Sequence, residues 1–222
     1  MRWGGNVRDI HCHILPGVDD GSPSLEYSLQ MVAEAKKAGV TSMVCTPHCR
    51  DPYFDYDRMW DAFELLRDSA PDMPMTMGFE VNYNKLMDLG MQWASYLHFD
   101  GGNEFLLELP TRCDALDFRD YERVIFELQG MGYQVIIAHP ERYAAIQKDV
   151  SIAEGLVKMG CKLQASSDFI QGGRLGKEHK PARALFAKGL YSYIASDAHR
   201  VEHYKALAKA QEKYRVRASH LA

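Results

Sequence analysis

The strongest constraint in this chain is positional: its apolar runs keep ending in a histidine or a carboxylate. Runs at 7–12, 41–46, 75–81, 105–109, 134–138, 162–166 and 191–196 have strand composition. The first ends in His11-Cys12-His13, the second leads into Thr46-Pro47-His48, and the third closes on Phe79-Glu80-Val81-Asn82. The fourth ends in Leu107-Glu108-Leu109-Pro110, the fifth leads into Ala138-His139-Pro140-Glu141-Arg142, and the seventh ends in Ser196-Asp197-Ala198-His199. Amphipathic stretches separate most of these runs. Ser22 offers a helix N-cap with Pro23 at the first helical position; Leu25, Leu29, Val32 and Ala33 supply an apolar face, and Gly39 ends it. Met59, Phe63, Leu66 and Ala70 mark a second helix, and Tyr121, Val124, Ile125 and Leu128 a third. Helices are also expected over 152–159, 181–188 and 201–213, whereas 82–102 shows no usable period. Strands alternating with helices imply a parallel sheet with crossover connections.

Such a sheet is either open or closed, and the polar residues decide between the two. In an open sheet the strand ends are strung along one edge; in a barrel they converge on one face. Six of about seven strands carry His, Asp or Glu at the carboxyl end. The expected fold is therefore a distorted TIM-like (β/α)7 barrel, as a single domain over residues 1–222.

The spacing makes a metal site the leading chemistry. His11 and His13 are two apart on a strand, so both face one side while Cys12 faces the other. Asp197 and His199 repeat the arrangement, and Asp20 follows on the Gly17-Val18-Asp19-Asp20-Gly21 loop. A lone histidine at a strand end is ordinarily a satisfied polar residue, and a single His-x-His is a modest signal. Glu108 says more, because a carboxylate in an apolar strand costs several kcal/mol unless it is paired or bound to a metal. Nine such residues together, His11, His13, Asp20, His48, Glu80, Glu108, His139, Asp197 and His199, are hard to assign to chance. Histidine and carboxylate donors without thiolate suit Mn, Fe or Zn rather than a cysteine-type structural zinc site. About three divalent cations would outweigh the four carboxylates among these residues and leave room for a hydroxide and a phosphate.

Composition narrows the setting. The formal net charge is −4 with no basic run, which argues against a nucleic-acid surface. No apolar stretch approaches the roughly 18 residues of a membrane span. Met1-Arg2-Trp3-Gly4-Gly5-Asn6 lacks an apolar signal core, and the five cysteines are odd in number without Cys-x-x-Cys spacing. A cytoplasmic protein with reduced thiols is expected.

At these motifs the sequence resembles the polymerase-and-histidinol-phosphatase superfamily, and more closely the bacterial capsule-associated protein-tyrosine phosphatases within it. The resemblance is carried by residues 9–21 (DIHCHILPGVDDG), Thr46-Pro47-His48, Gly78-Phe79-Glu80, Leu107-Glu108-Leu109-Pro110, residues 138–143 (AHPERY) and Ser196-Asp197-Ala198-His199. It implies a trinuclear, usually manganese, site. His11, His13, Glu80 and Asp197 would hold one cation, and Glu80, Glu108 and His139 a second. Asp20, His48 and His199 would hold a third. It also implies that Arg142 contacts the phosphate, as a guanidinium fork suits a pair of phosphoryl oxygens. The implied substrate is phosphotyrosine on the flexible tail of a tyrosine autokinase that controls exopolysaccharide export. Two stretches depart from the family pattern. The loop after the sixth strand, normally rich in Gly and Ser, is here Ser166 to Arg174 in the sequence SSDFIQGGR. After Asp197-Ala198-His199 the family often has Asn with an arginine a few residues on; here Arg200 follows directly, as a second candidate phosphate contact or a partner of Glu202. Two rival readings are a small-molecule phosphatase acting on a substrate such as histidinol phosphate, and a metal-binding regulator without turnover. The oligomeric state is left open.

Overall fold

The computed structural model describes residues 7–173 and 176–214. Its elements run β1 (Val7–Cys12), α1 (Leu25–Lys37), β2 (Val40–Cys45), β3 (His48–Cys49), α2 (Tyr56–Ser69), β4 (Met75–Met77), β5 (Glu80–Asn82), α3 (Tyr83–Leu89), α4 (Ala94–Leu97) and β6 (Glu104–Glu108). They continue with α5 (Phe118–Gly130), β7 (Gln134–Ala138), α6 (Ala144–Lys148), α7 (Ser151–Lys158), β8 (Lys162–Ser166), α8 (His179–Ala187), β9 (Tyr193–Ala195) and α9 (His203–Lys213).

Every strand pairing among the described residues is parallel. The strands form two sheets, β1-β2-β4 and β3-β5-β6-β7-β8-β9. The division is a bend. β3 continues β2 after Thr46-Pro47, and β5 continues β4 after Gly78-Phe79, so two neighbouring strands kink at the same level. Hydrogen bonds from Gly78 N to the Cys45 carbonyl (2.9 Å) and from Glu80 N to the Pro47 carbonyl (3.1 Å) carry the wall across the kink. The run at 75–81 is thus two short strands where one was expected. Gly78 fixes the break: a Cβ there would stand 2.5 Å from Phe99 Cδ1 and 2.8 Å from Val44 Cγ1. Gly78→Ala should cost about 1–3 kcal/mol by overpacking, read as a lowered urea midpoint; an unchanged midpoint would mean that Phe99 has room to retreat.

The wall closes between β9 and β1. The join is a bridge between Cys12 and Ala198, with hydrogen bonds from Asp197 N to the His11 carbonyl (2.8 Å) and from His13 N to the Ala198 carbonyl (2.9 Å). Below it, the buried Asp9 carboxylate accepts from Ser196 N at 2.8 Å and Ser196 Oγ at 2.6 Å. The result is the expected distorted barrel. Helices pack the larger core around its outside. Inside lies a small cluster of Ile10, Val44, Phe99, Leu106, Ile136, Ala138 and Ala195. Residues alternate across a strand, so the inward line from Leu106 continues to Glu108, and that from Ala195 to Asp197. The interior therefore turns from apolar to polar toward the carboxyl ends.

Several boundaries differ from expectation. Ser24, extended at φ −156° and ψ 160°, caps α1 by accepting from Tyr27 N at 3.2 Å. Ser22 is buried and accepts a hydrogen bond from Ser28 Oγ, so Pro23 precedes the helix. The stretch 82–102 holds α3, a 3-10 turn and α4, each too short to print a helical period. No helix among the described residues is long and apolar enough to cross a membrane.

Candidate metal centre at the barrel mouth

All nine predicted donors lie at the carboxyl end of the barrel, and all but Asp20 are buried. Among the described residues four sets of donor atoms gather there, each with its members within 4.8 Å of one another: His13, Asp20, His48 and His199; His11, His139 and Asp197; His11, His13 and Glu80; and His48, Glu80 and Glu108. The sets overlap, and Glu80 sits at their centre. Its carboxylate lies 2.7 Å from His139 Nε2, 2.6 Å from His48 Nδ1, and 3.4 Å from both His11 Nε2 and His13 Nε2. The geometry thus draws His48 toward Glu80 as well as toward Asp20, from which its Nε2 is 3.1 Å away. His199 Nε2 stands 3.3 Å from the same Asp20 oxygen. Glu108 is more loosely placed, 3.9 Å from His139, and accepts a hydrogen bond from Asn82 Nδ2 at 3.1 Å.

The donor atoms fit a cation better than they fit each other. His11 Nε2 and His13 Nε2 face one another at 3.2 Å and stand 3.5 Å and 3.4 Å from Asp197 Oδ1. Ligands about 2.1 Å from one ion at roughly tetrahedral angles stand about 3.4 Å apart. His48 Nδ1 and Glu80 Oε2 approach to 2.6 Å, yet neither makes a hydrogen bond among the described residues, and the buried His139 Nδ1 also lacks one. Unsatisfied polar atoms in such a place ordinarily signal a missing ion or water.

A surrounding layer aims the imidazoles. His13 Nδ1 is held by Asp19 at 2.8 Å, His11 Nδ1 by Gln164 Oε1 at 2.9 Å, and His199 Nδ1 by the Asp197 carbonyl at 3.0 Å. In each case Nε2 is left facing the cluster, the usual way a protein fixes a ligand histidine. Sequence reasoning assigned no role to Asp19 or Gln164. Asp19 stands beside Asp20 in the loop, and Gln164 is an inward polar residue near the end of β8, so the strand-end rule extended to amides would have found it. Arg50 was also missed: its Nη2 is 2.8 Å from His48 Nε2.

Electrostatics follow from this crowding. Burial alone would raise the Glu80 carboxyl, but His11 and His48 hold it well below the ordinary range. Asp197 is likewise held down against burial, by Arg142 and His11. Burial opposes charge on His11 and His13 too, yet Glu80 and Asp197 raise the first and Asp19 raises the second. The crowding thus favours ionised carboxylates beside protonated imidazoles.

Arg142 is buried beside the donors. Its guanidinium lies 2.6 Å from Asp197 and 3.1 Å from Asp168, and donates to Ser166 Oγ at 3.1 Å. Its Nε has no hydrogen-bond partner among the described residues. Ser166 and Asp168 begin the loop that departs from the family pattern, so that loop supports Arg142; Arg174, at its far end, lies outside the described residues. Arg200 is exposed, with no ion pair to Glu202 or to any donor among the described residues.

The spacing Cys113 to Arg119 is that of a cysteine phosphatase loop. Cys113 is buried, its thiol is pushed up by burial, and Arg119 is exposed beyond the acidic Asp114 and Asp117. A nucleophilic thiolate needs the reverse, a lowered pKa and an electropositive cradle. All five cysteines are buried and free.

Known proteins similar to this chain share its fold and family. Tyrosine-protein phosphatase YwqE of Bacillus subtilis is 30% identical over 201 residues, covering 87% of this chain and 78% of that protein. Tyrosine-protein phosphatase CpsB of Streptococcus agalactiae is 26% identical over 205 residues, covering 87% and 83%. A crystal structure from work on YwqE of Bacillus subtilis and CpsB of Streptococcus pneumoniae, described as unique metal-dependent tyrosine phosphatases, aligns with a TM-score of 0.80 at 27% identity. It covers 97% of this chain and 89% of that one. Residues 7–218 match the family described as Capsular polysaccharide synthesis, CpsB/CapC, and the chain belongs to that family.

Proposed function

We propose that this protein is a metal-dependent phosphomonoesterase that removes phosphate from tyrosine in a protein substrate. The observation that carries the proposal is the shared position of Glu80 among overlapping donor sets at the barrel mouth. Relatives over most of the chain are tyrosine-protein phosphatases, and a structural relative is metal-dependent. In this reading His11, His13, Glu80 and Asp197 hold one divalent cation, Glu80, Glu108 and His139 a second, and Asp20, His48 and His199 a third. Manganese is the first choice, with iron or zinc accepted by the same donors. When bound, the cations supply a hydroxide nucleophile at neutral pH and stabilise charge on the phosphoryl oxygens.

The chain's own groups do the rest. Asp19 and Gln164 fix the His13 and His11 rings, and Asn82 steadies Glu108. Arg142 directs its guanidinium at the phosphate, with Asp168 and Ser166 fixing its plane. The phosphoprotein we favour is the tail of a tyrosine autokinase serving exopolysaccharide synthesis, and the compartment is the cytoplasm, where five free thiols are stable.

The test is phosphate release from a phosphotyrosyl peptide by chelator-stripped protein with Mn added back. Recovery on Mn addition supports the reading. Silence on the peptide with turnover of histidinol phosphate moves the substrate to a metabolite, and silence on both leaves a metal-binding regulator. Arg142→Lys should lower kcat/KM about 10- to 100-fold, because an ammonium keeps the charge but loses the fork. Equal activity in that variant would remove Arg142 from the phosphate.

A further inference from the structure

Arg142 and Arg50 are the two cationic side chains that pair with the donor cluster among the described residues. Their situations differ. Arg142 is buried and engaged by two carboxylates. Arg50 follows β3, two residues after His48, and its side chain is 32% exposed. Its Nη2 donates to His48 Nε2 at 2.8 Å and lies 3.5 Å from Asp20 Oδ2. The guanidinium carbon stands 5.6 Å from the centre of the Tyr53 ring, which itself stacks on His48. Arg50 Nε is buried and lacks a hydrogen-bond partner among the described residues. On the far side, Arg50 lines a cleft of about 230 Å³ with Asp51, Asn82, Asn84, Lys85 and Asp88. Asn82 in that cleft touches Glu108, so the cleft adjoins the donors.

A guanidinium that donates to a metal-type imidazole nitrogen competes with any cation for the same lone pair. A cation held by His48 and Asp20 would repel it, and the donors it turns away would be available to an anion at the mouth. Arg200, which the sequence offered for that role, is exposed and pairs with nothing among the described residues. We infer that Arg50 is the second phosphate-contacting arginine of this chain, reaching the substrate phosphate from the cleft side while Arg142 reaches it from the buried side. The inference rests on the proposed phosphatase reading but does not require tyrosine as the substrate.

The test is calorimetric binding of inorganic phosphate to the Mn-loaded protein, with metal content and kcat/KM measured in parallel. A charge-assisted hydrogen bond is worth about 1.5–3 kcal/mol, or roughly 10- to 100-fold. Arg50→Ala should weaken phosphate binding by about that factor with metal content and thermal midpoint as in the parent. Arg50→Lys should recover part of the loss, and Arg200→Ala should carry the smaller loss of the two alanine variants. Parent-like phosphate binding in Arg50→Ala overturns the inference, as does a loss of metal content in that variant or a larger loss at Arg200. Absence of phosphate binding by the parent overturns it as well. The two proposals fail separately: a parent that binds phosphate through Arg50 but spares the peptide keeps this inference and loses the tyrosine reading. An active parent with a silent Arg50→Ala change does the opposite.

Discussion

Glu80→Ala should reduce phosphate release by roughly a thousandfold or more and lower the metal content at the same time. Glu80 is the residue whose removal reaches furthest, since its carboxylate lies within 3.4 Å of four histidines. In the proposed function it joins two cations. Losing their electrostatic stabilisation costs several kcal/mol, and each 1.36 kcal/mol is tenfold in rate. The measurement is single-turnover phosphate release together with metal analysis of the dialysed protein. Asn82→Ala, which removes the hydrogen bond to Glu108 and the N-cap of α3, should fall about 10- to 100-fold. A Glu80→Ala protein with full metal content and near-normal rate would sink the bridging role.

The second large effect is on pH, and its sign reverses with the metal. In the metal-free protein Glu80 and Asp197 are depressed against burial by their cationic neighbours. That contribution to stability is present above the ordinary carboxylate values of 4.5 and 3.8 and fades as pH falls through the depressed ones. His11 and His13 are raised by their carboxylate neighbours in spite of burial. Their contribution is complete below the ordinary histidine value of 6.5 and fades as pH rises through the raised ones. The metal-free protein should therefore be most stable between about pH 4.5 and 6.5, where both contributions overlap. Cations take the place of those protons, so loading at pH 7 should release protons. Affinity should drop as the solution is acidified, and activity should be lost by about pH 5. Melting curves with and without Mn across pH 4 to 9 read the reversal directly. A metal-free protein that stabilises steadily up to pH 9 would contradict the raised His11 and His13.

Much of this was legible in the chain because the two signals it depends on are local. A strand of five or six residues prints its apolar run, and the residue after it prints its chemistry, so the barrel and the gathering of nine candidate donors at its mouth could be read from the His, Asp or Glu at six strand ends. What was not legible depends on contacts between distant residues. The kink at Gly78 is set by Phe99 and Val44, which a reading of 75–81 alone does not include. Ser22 looked like a cap because Pro23 followed it, but burial beside Ser28 claimed its hydroxyl. Asp19 and Asp20 are neighbours with different fates: one orients His13 and the other faces His48 and His199, a division fixed by the path of the loop. Arg50 drew no notice in the sequence because it ends no apolar run; only the fold shows its guanidinium turned toward His48 and Asp20.

The seam between β9 and β1 also bears on how the molecule comes into being. His11 and Asp197 meet there although they are separated by almost the whole chain, and loop closure over such a span is among the slowest and entropically most expensive steps in forming a fold. The donors divide along it, with His11 and His13 on the early strand and Asp197 and His199 on the late one. A chain emerging from the ribosome without its last strand thus lacks Asp197 and His199, and the full constellation arises only when both ends of the barrel have met. Assembly of the donor cluster is thereby tied to closure of the barrel wall.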